Sequence, residues 1–80
     1  MDFVDFKYLT QTQSEFKLKV ALQLKRLRVK KSISQDQFYQ ETNINIARLE
    51  TGKYDTRMET VRKICYYFDI SISEFFKDIH

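Results

Sequence analysis

The chain has no proline, a single glycine (Gly52) and a single cysteine (Cys65) in 80 residues. Without breaker clusters to punctuate hairpins, long stretches are free to propagate as helix, and the heavy use of Leu, Ile, Lys, Gln, Glu and Phe favours that outcome. A lone cysteine excludes an intrachain disulfide framework and fits a reducing, cytoplasmic setting. No apolar run reaches the length of a membrane span, and nothing resembles a signal peptide, so neither is expected. The only histidine is His80. No Cys/His cluster has zinc-ligand spacing, and no glycine-rich loop could cradle a nucleotide. These gaps argue against an enzyme, and they imply no metal, no cofactor and no small-molecule effector.

What is present is a small domain's worth of chain with a formal net charge of +3. That excess is too small to establish nucleic-acid binding, but its distribution is uneven. Lys17, Lys19, Lys25, Arg26, Arg28, Lys30 and Lys31 follow one another with no acidic residue among them. Such a run serves either as the solvated face of a helix or as a source of phosphate attraction.

Helix starts are written as capping boxes, in which a Ser or Thr is followed three residues later by Glu or Gln. Thr12 with Glu15 predicts the start of a first helix, whose Phe16, Val20, Leu24 and Leu27 recur at helical spacing and define a buried face. Lys30 and Lys31 suit its C-terminal end, where the macrodipole favours cations. Ser34 with Gln37 predicts a second helix carrying Phe38 and ending near Thr42, with Asn43 as a left-handed turn residue. Asn45 caps a third, buried through Ile46 and Leu49 and stopped by Gly52. Thr56 with Glu59 predicts a fourth, buried through Met58, Val61, Ile64 or Cys65, and Phe68. Ser71 with Glu74 predicts a fifth, holding Phe75 and Phe76. The expected fold is all-α, with Cys65 as a packed thiol rather than a nucleophile. Residues 1–11 follow neither helical nor strand period. They are expected to form an N-terminal arm, whose Phe3, Val4, Phe6, Tyr8 and Leu9 could cover the core or meet a second subunit.

The stretch from Ser34 to Lys53 joins two short helices by a very tight turn, the pattern of a helix-turn-helix. The surrounding residues resemble the Cro/C1-type, or XRE, helix-turn-helix family. Leu24, Leu27 and Arg28 match its I-x-x-L-R segment, and Ser34, Gln35 and Phe38 its S-Q-x-x-[LF]. Ile46, Arg48, Leu49, Glu50, Gly52 and Lys53 match its [IL]-x-[RK]-[IL]-E-x-G-K. Thr60, Ile64, Ile70, Ser71, Phe75 and Phe76 match its later features. The resemblance covers about residues 20–76 and implies a five-helix, lambda-repressor-like domain over residues 12–80. It also implies a structural ion pair between Arg28 and Glu50, a phosphate contact at Lys53, and either a phosphate anchor or an ordinary capping neighbour at Gln35.

Two departures stand out. Typical members carry about three more residues between the turn and the R-[IL]-E segment, which is roughly 4.5 Å of helix. The missing piece is the end of the recognition helix that projects base-reading side chains. Tyr39 stands where the family prefers alanine, and a ring there fits if the shorter helix leaves room. The residues left to meet DNA are Asn45, as a cap or a base contact, and Ala47, against a thymine methyl. Beyond them come Arg48, as a reader of guanine or a holder of phosphate, and Tyr54 and Arg57 on the flanking backbone. The expected function is a sequence-specific transcriptional regulator of double-stranded DNA, a homodimer on a two-fold symmetric operator, with no separate effector domain. The competing expectation is a protein-interaction module that keeps the fold without base readout, for which Asp36 and Glu41 dilute the positive face.

Overall fold

A computed structural model describes residues 6–77 and 79, with residues 6–14 described by backbone alone. Five helices follow in order: α1 (Phe6–Lys30), α2 (Gln35–Thr42), α3 (Ile46–Leu49), α4 (Met58–Phe68) and α5 (Ile72–Lys77). No strand occurs among the described residues. The core gathers Val20 and Leu24 of α1, Phe38 of α2, Ile46 of α3, Val61, Ile64, Cys65 and Phe68 of α4, and Phe75 of α5. Its centre is aromatic. Phe38 stacks on Phe68 at 5.7 Å between ring centroids and meets Tyr67 edge-on at 4.8 Å. Cys65 is buried among these side chains, and burial pushes its thiol above the ordinary value.

Two capping signals work as written. Ser34 Oγ accepts from the Gln37 amide at 3.0 Å, and Ser71 and Glu74 form a reciprocal box, each side chain accepting from the other's backbone N–H. Two others do not. α1 begins at Phe6, ahead of the predicted start at Thr12, so residues 6–11 of the expected arm belong to the helix. Residues 1–5 lie outside the described residues. Extending an existing helix costs far less than nucleating one, and no glycine or proline lies between Phe6 and Thr12 to interrupt it. At α4 the cap position is Arg57, without a side-chain hydrogen bond, and Glu59 pairs with Arg62 rather than reaching back to Thr56. Met58, expected in the core, is 58 % exposed because it is the first residue of that helix. Phe16 is 47 % exposed as well, although its ring stacks on Phe76. Leu27 and Leu49 are half-buried at the edge of the core.

With one glycine available, the chain turns corners on other residues. Ser32, Asn43 and Asp69 all adopt left-handed backbone, with φ of 56°, 62° and 56°. Asn and Asp tolerate that region better than Ser, whose Cβ crowds the following carbonyl. Gly52 takes the same region at φ 75°, and a Cβ there would lie 2.7 Å from Leu18 Cδ2, the far end of a flexible side chain that would have to move aside, so α1 runs close to the turn after α3.

Two predictions follow from these contacts. Ser32→Gly relieves left-handed strain at some cost in unfolded-chain entropy, for a net gain of about 0.5 kcal/mol, or a few degrees in melting temperature. The second concerns pH. The Tyr67 hydroxyl donates to Glu41 Oε1 at 2.7 Å and the Gln37 amide donates to Glu41 Oε2 at 3.0 Å, tying α4 to α2. Both bonds hold the Glu41 carboxyl below its usual value of 4.5, Tyr67 contributing most, and the same bond raises the tyrosine. Glu41 therefore stabilises the fold above its ordinary pKa, and the contribution fades as pH falls through the lowered one. Melting curves between about pH 2 and 6 should show wild type and Glu41→Gln converging at the acid end.

Candidate nucleic-acid interface

The helix-turn-helix is built by α2, a turn of residues 43–45, and α3. Thr42 ends α2 and locks the turn: its hydroxyl donates to the Phe38 carbonyl at 2.7 Å and accepts from the Ile44 amide at 3.1 Å. Asn43 takes the left-handed position and donates its backbone N–H to the Tyr39 carbonyl at 2.7 Å. Asn45 Oδ1 then accepts from the Arg48 amide at 3.1 Å, capping α3. That helix has four residues. At 1.5 Å of rise per residue it is about 6 Å long, barely one turn.

The α3 exit is fixed from α1. Arg28 Nε donates to Glu50 Oε2 at 2.7 Å and its Nη2 to Oε1 at 3.0 Å, while Nη1 donates to the Ile33 carbonyl at 2.9 Å. The two side chains are 12 % and 5 % exposed. The carboxylate in turn holds the guanidinium more firmly protonated. Gln35 joins the same group, its Nε2 donating to Glu50 Oε1 at 2.9 Å. One carboxylate thus ties together α1, the first residue of α2 and the end of α3.

Of the other predicted residues, Ala47, Asn45, Arg48 and Arg57 line two clefts, while Tyr54 lines a third, apolar one. Ala47 is exposed and lines one with Ser34 and Gln35, bordered by Lys25, Arg28, Glu50 and Thr51. Asn45, Arg48 and Arg57 line the second, below the turn and beside Asp55. The Arg48 guanidinium is exposed and sits over the Tyr54 ring, 4.1 Å from its centroid. Lys53 is exposed, and its backbone N–H donates to Thr51 Oγ1 at 3.3 Å. Tyr39, Asp36 and Lys25 are among the cleft residues that stood outside the predicted set. Tyr39 and Asp36 flank Asn45 and Ala47, and Lys25 stands beside Gln35. Lys25 carried a signal as part of the basic run. Tyr39 carried one as the ring in place of alanine, and that ring is 45 % exposed at the edge of the shortened helix.

Residues 23–80 match the family model described as the Cro/C1-type HTH DNA-binding domain. The chain belongs to that family. Comparison with curated proteins and with solved structures gives no match. The Cro/C1-type match begins at Gln23, so the part of α1 from Phe6 to Leu22 precedes it. Gln23 itself is buried, and its amide donates to the Phe75 carbonyl at 3.1 Å, joining α1 to α5. No described helix is long and apolar enough to cross a membrane.

The nearly buried Arg28–Glu50 pair yields a stability prediction. Removing one partner strands the other charge, so Glu50→Ala should cost about 3 kcal/mol in denaturant unfolding. Adding Arg28→Ala to it should cost much less than the sum of the two single losses.

Proposed function

We propose that this Cro/C1-type domain is a sequence-specific transcriptional regulator that binds double-stranded DNA as a homodimer on a two-fold symmetric operator. The observation that carries this reading is the cationic side chain presented by α3. Among the described residues no carboxylate hydrogen-bonds or ion-pairs with Arg48, whereas Arg28 and Arg62 are both bound to glutamates. An exposed Arg on the second helix of a helix-turn-helix is suited to bidentate donation to guanine O6 and N7. Lys53, Arg57 and Lys25 serve as phosphate contacts, Ala47 leaves room for a thymine methyl, and Asn45 has one amide end left after capping. Gln35 shares its amide between Glu50 and a phosphate, using its second N–H. Tyr54, first expected on the flanking backbone, lies beneath Arg48. Phosphate contact supplies most of the affinity, which therefore falls steeply with salt. The site of action is the cytoplasm, and no catalytic step is involved.

A second reading has one observation in its favour. Phe16, Val20, Tyr54, Met58, Val61 and Phe76 line an apolar cleft between α1, the α3–α4 loop, α4 and α5. A module that had lost base readout could use such a cleft to hold another protein, and that association would survive nuclease treatment.

The test is binding of the full chain to a duplex selected from a random oligonucleotide pool and to a scrambled duplex, across salt concentrations. Wild type should prefer the selected duplex, and Arg48→Ala should reduce that preference by roughly five- to hundredfold, the worth of one bidentate base contact. Equal affinity for both duplexes, untouched by the substitution, would defeat the regulator reading.

A further inference from the structure

A side chain on a recognition helix is normally steadied by neighbours one turn away. Arg48 has few of them. It is the third residue of a helix of four residues. Four positions before it is Ile44, outside the helix, and four positions after it is Gly52, which has no side chain. Three positions after it, Thr51 spends its hydroxyl on the Arg48 carbonyl at 2.7 Å, a bond that holds the backbone and not the guanidinium. Steadying has to come from beyond the helix. The left-handed turn at Gly52 reverses the chain and brings Tyr54 back, so that the guanidinium carbon lies 4.1 Å from the ring centroid.

We propose that Tyr54 is a positioning residue for base recognition: its ring is a platform that fixes the Arg48 guanidinium for a guanine edge, in place of the missing helical turn. The inference rests on the reading of Arg48 as a base contact. With its carbon over the ring, a guanidinium that lies flat on it uses its face and keeps its in-plane N–H donors, the ones a guanine requires. Arginine is among the costliest side chains to immobilise, so a partner that orders it before DNA arrives removes part of that cost. Asp55, the neighbouring carboxylate, lies 3.8 Å from Lys17 Nζ and does not form a salt bridge with Arg48. The ring therefore holds the cation without neutralising it. The function lies in the π face, so the tyrosine hydroxyl is dispensable.

The experiment compares Tyr54→Phe, Tyr54→Leu, Arg48→Ala and the Arg48→Ala/Tyr54→Leu pair in the full chain. The readout is the ratio of affinities for a pool-selected duplex and a scrambled one, with the salt slope on the scrambled duplex and the melting temperature alongside. Leucine preserves apolar bulk against Phe16 and Met58 while removing the ring. Tyr54→Phe should keep the ratio within about twofold of wild type, whereas Tyr54→Leu should lower it roughly two- to fivefold. The pair should be no worse than Arg48→Ala alone, with the salt slope unchanged throughout. The proposal is overturned if Tyr54→Leu retains the ratio, if Tyr54→Phe falls as far as Tyr54→Leu, or if the two losses add. A uniform drop in affinity for both duplexes, with a shallower salt slope, would make Tyr54 a phosphate contact instead. If Arg48→Ala leaves the ratio untouched, the base-contact reading fails, and the role of Tyr54 fails with it.

Discussion

The Glu50 carboxylate is the constraint on which the rest of this small domain depends. Its two oxygens take three hydrogen bonds, two from Arg28 and one from Gln35, and the remaining Arg28 nitrogen donates to the Ile33 carbonyl in the loop ahead of α2. A helix of four residues cannot define its own direction, because one turn makes too few internal bonds to resist tilting. Its orientation is imposed at both ends. Asn45 holds the entrance, Glu50 anchors the exit to α1, and Ile46 between them is sealed in the core. Charge is buried here for geometry: an apolar pair would fill the same space without fixing where α3 points.

This arrangement explains how a Cro/C1-type domain tolerates the loss of part of its second helix. The scaffold contacts sit at the C-terminal end of α3, in Leu49, Glu50 and the Gly52 turn, and the shortening falls at the other end. Thr42 and left-handed Asn43 close the turn within residues 43–45. The Tyr39 ring stands beside Asn45 and Ala47, where a longer helix and an alanine would otherwise meet. The domain keeps its five-helix architecture with an α3 of only four residues.

Features governed by neighbours in sequence were legible from the residues. Ser34, Asn45 and the Ser71–Glu74 box act over a few positions, so their spacing carries their meaning. Asn43 was readable for a similar reason, since few other residues accept left-handed backbone. The pairing of Arg28 with Glu50 spans more of the chain and was reached through family likeness, not spacing. What could not be read was decided by competition. Thr12 and Glu15 spell a cap, but a helix already running from Phe6 has no need of one. Glu59 had two possible partners and took Arg62 in place of the backbone near Thr56. Phe16 and Met58 obey the helical period and are still open to solvent, because periodicity marks a face and cannot tell how far the opposing layer extends. The stacking of Arg48 on Tyr54 was hidden for the same reason: it depends on a chain reversal whose angle no local pattern specifies.

The approach of Leu18 to Gly52 has a corollary for the turn. Any side chain added at position 52 would have to push the Leu18 side chain aside, so the first helix restricts what that turn can carry. Leu18 lies in the portion of α1 that precedes the family match, and two residues past Gly52 comes the aromatic ring beneath Arg48. The turn that carries Tyr54 is therefore bordered by a part of α1 that lies outside the family's own boundaries.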